Sequence, residues 1–206
     1  MQPSAAQPVE KPAIPTGEGF DFYVLSLSWS PSYCEAEGEN ANRQQCEMGR
    51  PYAFVVHGLW PQFERGFPSD CDTSEREVDA ETLRSLYDLM PSSGLIRHEW
   101  REHGTCSGLS LADYFHVLRL ARERVTVPEE FRRLDDYRTL PPGVAEQAFL
   151  QSNTGLYEEA IAVTCDKRYL RDVRICMTKD LQFRACPEID RRGCRLQKVL
   201  MPPLRR

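Results

Sequence analysis

FVVHGLWP, residues 54–61, sets the first expectation for both fold and chemistry, because it places a histidine and a tryptophan in a run of strand-forming residues. Its aromatic and β-branched residues predict a strand over residues 52–57, which Gly58 is expected to close. His57 then lies at the end of a strand, where its side chain can face a cleft. We call this stretch the first box.

A second box, HEWREHGTC at residues 98–106, contains two more of the four histidines. We expect the chain from residue 95 to be helical through His103, with Gly104 as the break. Glu99 and His103 are four residues apart, so they project from one face of such a helix. Imidazoles and a carboxylate gathered in one site can move protons near neutral or mildly acid pH.

The second box also invites comparison with a zinc-protease helix. That motif requires histidines at positions i and i+4. Here the fourth residue after His98 is Glu102, and the next histidine is His103. We therefore reject the zinc-protease interpretation and expect no metal site.

Hydrophobic periodicity elsewhere predicts a mixture of strands and helices. Ser110 begins a further helix, in which Asp113 completes a pattern that resembles a capping box. No glycine-rich βαβ fingerprint is present, so we expect an α+β fold with a mostly antiparallel sheet flanked by several helices. The other predicted strands cover residues 20–29, 173–178 and 181–186, and the other predicted helices cover residues 78–90, 144–150 and 156–162.

Length and composition are typical of one soluble domain, with 206 residues, 41% hydrophobic and 28% charged. Residues 1–19 contain four prolines and few apolar anchors. We therefore expect a disordered N-terminal segment, followed by a single catalytic domain over residues 20–206. Since no apolar run approaches the ~18 residues of a membrane helix, we expect no membrane partner. We also expect a monomer.

The formal net charge of −5 argues against a protein that wraps duplex nucleic acid. We expect no stable DNA binding. A cleft can still capture a few nucleotides, because overall charge does not fix the field inside a pocket.

Eight cysteines, none of them in a Cys-x-x-Cys pair, favour disulfides over a zinc site. Disulfides imply an oxidising compartment, so the chain is expected to be secreted or periplasmic. No Asn-x-Ser/Thr sequon is present, which favours a bacterial secreted protein. Residue spacing alone leaves the cysteine pairing open.

Two histidines of opposite protonation state would suit the cleavage of RNA. RNA carries its own nucleophile, the 2′-hydroxyl, so the protein needs a base for its proton and an acid for the 5′-oxygen leaving group. This chemistry requires no metal, and we expect no cofactor. The tryptophan, phenylalanine and glycine residues of the boxes suit a flat, stackable nucleobase, and we expect single-stranded RNA as the substrate.

Both boxes closely resemble the two active-site segments of the ribonuclease T2 family. The similarity covers residues 20–194 and includes FYVLSLSWSP at 22–31, SNTGL at 152–156 and VRIC at 173–176. It implies the α+β, disulfide-linked fold of that family. It also implies an endoribonuclease that cleaves single-stranded RNA by transesterification, through a 2′,3′-cyclic phosphate.

The resemblance assigns a role to each residue of the boxes. His103 is the implied general base and His57 the implied general acid. His98 is expected to bind the phosphate, and Glu99 to tune the charge around it. Trp60 is expected to stack on the base upstream of the cut.

Further substrate contacts follow from the same resemblance. Gln62 stands where the family often has an acidic residue, which shifts or relaxes the expected base preference. Phe63 offers a second stacking face, and Leu95 falls where the family lines its downstream base pocket. The family pattern also implies the disulfides Cys71–Cys106, Cys165–Cys194 and Cys176–Cys186, with Cys34–Cys46 as the remaining pair.

One position departs from the family, which usually carries a lysine where this chain has Glu102. Losing a charged transition-state contact commonly costs ~10²–10³ in rate. We considered two compensations. Either Arg101 or Arg97 replaces the cation, or Glu102 pairs with His98 and holds that imidazole protonated.

Two rival functions remain open at this point. The first is a catalytically impaired RNA-binding or regulatory protein on the same scaffold, with Glu102 as the cause. Retention of all three histidines and of Glu99 argues against it. The second is a structural, disulfide-rich module with incidental histidines, which leaves the clustering of histidine with tryptophan, phenylalanine and glycine unexplained.

Overall fold

The computed structural model describes residues 13–69 and 71–206. Within those residues, a four-stranded antiparallel sheet is the framework of the molecule, and a short two-stranded sheet accompanies it. The strands of the main sheet are β1 (Phe22–Trp29), β2 (Phe54–Gln62), β4 (Ile161–Cys165) and β5 (Leu170–Met177), in the order β2-β1-β5-β4, and the second sheet pairs β3 (Arg138–Leu140) with β6 (Val199–Met201).

Helices surround this sheet, so the predicted α+β class is confirmed. Three 3₁₀ turns, at Gly38–Asn40, Gly104–Ser107 and Glu158–Ala160, supplement them. The helices are α1 (Ser30–Glu37), α2 (Arg43–Cys46), α3 (Ala80–Leu86), α4 (Ser93–Glu102), α5 (Leu111–Glu123), α6 (Glu129–Arg132), α7 (Pro142–Ser152) and α8 (Pro187–Arg191).

The two faces of the main sheet differ in character because side chains alternate along each strand. Leu25 and Leu27 of β1 join the main apolar core, which also contains Trp29 and Phe54. The opposite face carries Asp172 and other polar side chains at one end, beside a small apolar cluster. Polar side chains from different strands can therefore lie side by side on one face of the sheet.

Strand β2 is longer than expected and does not end at Gly58. In its pairing with β1, Ser26 is opposite Gly58 and Leu27 is opposite Val56, so His57 is the extra residue of a β-bulge. A bulge re-aims a side chain and is common beside active sites. The prediction that His57 lies at a strand end was therefore wrong. His57 lies inside β2, and the bulge in the pairing with β1 directs its side chain toward the site. Pro61 is tolerated because β2 is an edge strand.

The helix that carries the second box begins and ends close to its predicted bounds. Ser92 caps α4 by accepting a hydrogen bond from the amide of Leu95. The predicted start of α5 is also confirmed, since the Ser110 hydroxyl accepts from the amide of Asp113 and donates to the Asp113 carboxylate. By contrast, the helix predicted over 78–90 is restricted to α3, which Asp79 caps.

Two predicted elements in the last third of the chain were wrong. Residues 156–162 form the turn Glu158–Ala160 and the start of β4 instead of a helix, because Ile161 and Val163 pair with β5 and are buried in the core. Residues 181–186 do not form a strand. One isolated bridge joins Phe183 to Met177, and Leu181 turns the chain with a φ of 62°.

The N-terminal segment is described only in part. Residues 1–12 of the segment expected to be disordered lie outside the described residues. Further on, the amide of Glu18 donates to the carbonyl of Ser107, and Ile14 packs against the core. No described helix has the length and apolar character that crossing a bilayer requires.

All eight cysteines form disulfides. Cys71–Cys106 joins the segment after β2 to the turn after α4, so it links the regions that follow the two boxes. The pairs are those that the family resemblance implied: Cys34–Cys46, Cys71–Cys106, Cys165–Cys194 and Cys176–Cys186.

Candidate active site

The carboxylate of Glu99 is the centre of the cluster formed by the two boxes. This side chain is 1% exposed, with Oε1 3.8 Å from Nε2 of His57 and Oε2 4.0 Å from Nε2 of His103. The indole Nε1 of Trp60 donates a hydrogen bond of 2.7 Å to Oε2. Both imidazole rings lie against the Trp60 ring, with centroids 5.3 and 5.5 Å from it. Two imidazoles, one carboxylate and one aromatic ring therefore share a single site.

Local sequence explains how the two boxes meet. Glu99 and His103 lie on the same face of α4, one turn apart. That face approaches β2 at Gly58, where a Cβ atom would overlap both the Glu99 carboxylate and Nε1 of Trp60. Glycine is therefore required for the helix to bring its carboxylate against the strand.

Asp172 of β5 is a member of the cluster that sequence reasoning missed. Its Oδ1 is 3.3 Å from Nδ1 of His57, on the ring edge opposite Glu99. The hydroxyl of Thr164 donates to Oδ2 of Asp172 at 3.1 Å and accepts from the Asp172 amide. Asp172 is 115 residues from His57 in sequence. The sequence contained only a weak signal for Asp172. This residue and Arg174 lie on the same face of β5, and the apolar residues of that strand lie on the other face.

The surroundings of His57 favour its charged form. Burial of the ring disfavours the charge, but the hydrogen bond and negative charge of Asp172, together with the charge of Glu99, outweigh burial and raise the pKa of His57 above its usual 6.5. The pKa of Asp172 moves the other way. Although burial raises it, the hydrogen bond and charge of His57 dominate and lower it. Both shifts favour an imidazolium beside a carboxylate.

His103 lies in an environment that keeps it neutral. Burial, followed by the nearby charges of His98 and His57, lowers the pKa of His103 to about 4. Burial also raises the pKa of Glu99 to about 7, against the opposing effects of His57 and the Trp60 hydrogen bond. The two imidazoles of the cluster are therefore driven toward opposite protonation states.

Arg174 is the second residue that sequence reasoning missed. Its guanidinium lies over the Trp60 ring, 5.1 Å from the centroid, and its Nη2 is 3.8 Å from Oδ2 of Asp172. Burial is the main reason why the pKa of Arg174 is lowered. A cation therefore borders the cluster, although the family's lysine position holds Glu102.

The structure bears on two of the hypotheses for Glu102, its pairing with His98 and the replacement of the missing lysine by Arg101, while a role for Arg97 stays a prediction. Across the part of the chain that the structure describes, Glu102 and His98 form no ion pair. Both are exposed on α4 and act on the cluster through charge: His98 lowers the pKa of His103, and Glu102 raises that of Glu99. Arg101 lines a separate cleft beside Cys71.

The remaining predicted substrate contacts occupy different environments. Leu95 lines a cavity of about 220 Å³ together with His57, Asp172 and Tyr33. Phe63 is 39% exposed just beyond the end of β2. Gln62 is buried, and its side-chain amide donates to the carbonyl of Pro61.

Comparison with known proteins gives the family. The sequence model of the Ribonuclease T2 family matches residues 20–186. The chain belongs to the ribonuclease T2 family. This ribonuclease T2 chain is 38% identical over 165 residues to a ribonuclease of Aeromonas hydrophila, covering 78% of this chain and 73% of that protein. A probable ribonuclease of Haemophilus influenzae is 29% identical over 130 residues, which are 54% of this chain and 48% of that protein.

Solved structures agree with this assignment to the ribonuclease T2 family. The crystal structure of RNase NT in complex with 5′-AMP has a TM-score of 0.70 and 25% sequence identity, covering 91% of this chain and 100% of that chain. An RNase-related protein from Calystegia sepium shares the fold, with a TM-score of 0.68 and 20% identity over 92% of this chain and 100% of its own. The family resemblance and the fold that it implied are both confirmed.

Proposed function

We propose that this ribonuclease cleaves single-stranded RNA by transesterification, with His103 as general base and His57 as general acid. His103 takes the proton of the 2′-hydroxyl while that oxygen attacks the phosphorus. The P–O5′ bond breaks, and His57 gives its proton to the leaving oxygen. The products are a 2′,3′-cyclic phosphate and a 5′-hydroxyl, and no metal takes part in these proton transfers.

The observation that carries this proposal is that two imidazoles beside one carboxylate have pKa values shifted in opposite directions. A base must be neutral before reaction, which suits the lowered pKa of His103. An acid must be protonated, which suits the raised pKa of His57 beside Asp172. Glu99, between the two rings, tunes their charge and holds Trp60 in place.

Substrate positions follow from the assigned roles. His57 protonates the 5′-oxygen of the downstream nucleoside, so that nucleoside is expected to bind beside His57. The cavity lined by Leu95 can hold the downstream base. Trp60 offers its ring to the upstream base. We assign His98 to the phosphate, with Phe63 as an outer stacking surface. Gln62 is assigned a supporting role, since its side-chain amide is bonded to the backbone carbonyl of Pro61.

We also assign the protein to a secreted or periplasmic location. Four disulfides support this, because such bonds persist in oxidising compartments. We expect the monomer to be the active form, since every residue of the cluster comes from one chain.

The test is cleavage of single-stranded RNA in EDTA by the wild type and by His57→Ala and His103→Ala. Each variant should lose activity by a factor on the order of 10²–10⁴, the usual contribution of a general acid or base. His116→Ala is the matched control, because His116 is exposed on α5. Wild-type products should end in 2′,3′-cyclic phosphate.

Two results would contradict the assignment. Activity retained in either cluster variant removes that histidine from the reaction. RNA that binds but is never cleaved by the wild type would identify a catalytically impaired binding protein, with Glu102 as the first position to revert to lysine.

A further inference from the structure

A cleft rich in arginine lies outside the catalytic cluster. Its volume is about 570 Å³, and its lining consists of four arginines and one carboxylate, Glu188. This concentration of positive charge contrasts with the formal net charge of −5 for the whole chain. We call it the arginine cleft, and its arginines are Arg65, Arg191, Arg192 and Arg195.

The two sides of the arginine cleft are held together by specific contacts. Arg65 lies in the turn after β2, and the amide of Gly66 in that turn donates to Glu188 of α8 at 3.3 Å. Arg192 pairs with the same Glu188 carboxylate. Cys194, between Arg192 and Arg195, is bonded to Cys165 and donates its amide to the carbonyl of Val163 in β4. The arginines are therefore carried by an anchored segment.

Exposed aromatic rings accompany this charge. Phe63 and Phe67 are 39% and 54% exposed, and they flank Arg65 in the same turn. Positive charge that follows a backbone, combined with aromatic side chains on which bases stack, is how proteins bind single-stranded nucleic acid. Duplex would offer its phosphates but not its base faces to such a surface.

The helix that carries part of the arginine cleft lies close to Trp60 of the catalytic cluster. Trp60 packs against the small apolar cluster that includes Ile189 of α8. Arg174 covers the Trp60 ring, and after burial the charge of Arg192 is a further cause of its lowered pKa. Arg174 is therefore a cation that touches Trp60 and lies within reach of the charge of Arg192, whereas the cavity that Leu95 lines shares no lining residue with the arginine cleft.

We propose that the arginine cleft binds the RNA chain on the 5′ side of the cleaved bond. This direction rests on the proposed function: His57 and the cavity beside it take the downstream nucleoside, so the upstream chain leaves past Trp60 and Arg174. Arg191, Arg192 and Arg195 bind successive phosphates, and Phe63 and Phe67 stack on upstream bases. The site makes the enzyme prefer long substrates over short ones.

The experiment uses 2′-O-methyl oligonucleotides in which one nucleotide keeps its 2′-hydroxyl, so that cleavage occurs at one bond. A minimal substrate is extended on its 5′ side or on its 3′ side. The test variant is Arg191→Gln/Arg192→Gln/Arg195→Gln. The matched control, Arg132→Gln/Arg133→Gln/Arg206→Gln, removes the same charge from exposed arginines at and near α6.

In the wild type, the 5′ extension should raise kcat/KM. The test variant should lose that gain, roughly tenfold or more, while it cleaves the minimal and 3′-extended substrates at the wild-type rate. The control variant should keep the gain. Phe67→Ser should reduce the gain without removing charge.

Binding is measured in parallel, with His57→Ala added to every protein so that the RNA stays intact. The slope of log Kd against log salt for the 5′-extended RNA should fall by about 2 in the test variant, since each phosphate contact to single strands contributes ~0.7. The proposal is overturned if the test variant has the same salt slope as the control variant. It is also overturned if the test variant loses kcat/KM equally on the minimal, 5′-extended and 3′-extended substrates. If the wild type cleaves nothing, the proposed function fails, and the salt slope still decides whether the cleft binds RNA.

Discussion

At the scale of single residues, the decisive fact is that similar burial has opposite outcomes for two histidines. Burial alone would lower the pKa of both rings. The pKa of His57 is raised instead, because Asp172 and Glu99 lie on the two edges of its ring. The pKa of His103 is lowered further by its positively charged neighbours, His57 and His98. The partners of each ring, and not its depth, decide which one keeps a proton.

The Asp172 carboxylate gives a residue-scale prediction. Asp172→Asn removes the negative charge that raises the pKa of His57. A lower pKa reduces the fraction of His57 that carries a proton at neutral pH, so activity at that pH should fall. The alkaline limb of the kcat/KM profile should move to lower pH, while the acidic limb set by His103 stays near its wild-type position.

Asp88→Asn is the control for this substitution, since Asp88 is a surface carboxylate paired with Arg119. An alkaline limb that does not move in Asp172→Asn would show that Asp172 has only a structural role. Asp172 is a positioning residue in this account, because it acts through His57 and not on the substrate.

Sequence reasoning selected His57, Trp60, Glu99 and His103, and the structure brings these four together. The boxes allowed this because each is a short, distinctive stretch. Asp172 and Arg174 were missed because strand pairing between β1 and β5, which no local pattern specifies, brings them to the cluster.

At the scale of secondary-structure elements, the bulge in β2 decides where the chemistry can take place. Alternation along a regular strand would place His57 and Gly58 on opposite faces of the sheet. The bulge lets both lie on the site face while Val56 and Leu59 remain in the core. The prediction that Gly58 ends the strand failed because glycine there is needed for close approach and not for a turn.

Gly58→Ala tests this arrangement. The new Cβ would overlap the Glu99 carboxylate and the Trp60 indole, so both groups must move. Misplacement of catalytic groups by about 1 Å can cost ~10²-fold, and kcat should fall by that order. Overpacking should also lower the free energy of unfolding by about 1–3 kcal/mol.

Gly143→Ala is the matched control, since a Cβ atom at Gly143 meets no atom within 4 Å. It should leave activity unchanged and should not lower the free energy of unfolding, since alanine is favoured over glycine within a helix. Wild-type activity in Gly58→Ala would mean that the contact between α4 and β2 does not position the catalytic groups.

Local patterns predicted where helices begin, but they did not predict strand β4. Caps at Ser92 and Ser110 are encoded within one turn, so the starts of α4 and α5 could be predicted. The segment that becomes β4 has no such local signal. Its residues alternate poorly because they are buried on both sides, and only pairing with β5 makes them a strand.

At the scale of the whole molecule, charge is distributed unevenly. The chain is acidic overall, yet Arg174 and the arginine cleft form a positive region beside the cluster. Net charge did not reveal this region, because its arginines come from segments that are distant in sequence. The fold class and the family were predictable, whereas the arginine cleft became visible only in the assembled fold.

The central claim is that His57 is charged and His103 neutral at working pH. Rate should therefore rise as His103 loses its proton near pH 4 and fall as His57 loses its proton above pH 6.5. The most direct measurement is an NMR titration of the imidazole nitrogens from about pH 3 to about pH 9, with each resonance assigned by histidine substitution. The account predicts that His103 titrates near 4 and His57 above 6.5. A titration in which His57 loses its proton at lower pH than His103 would contradict it.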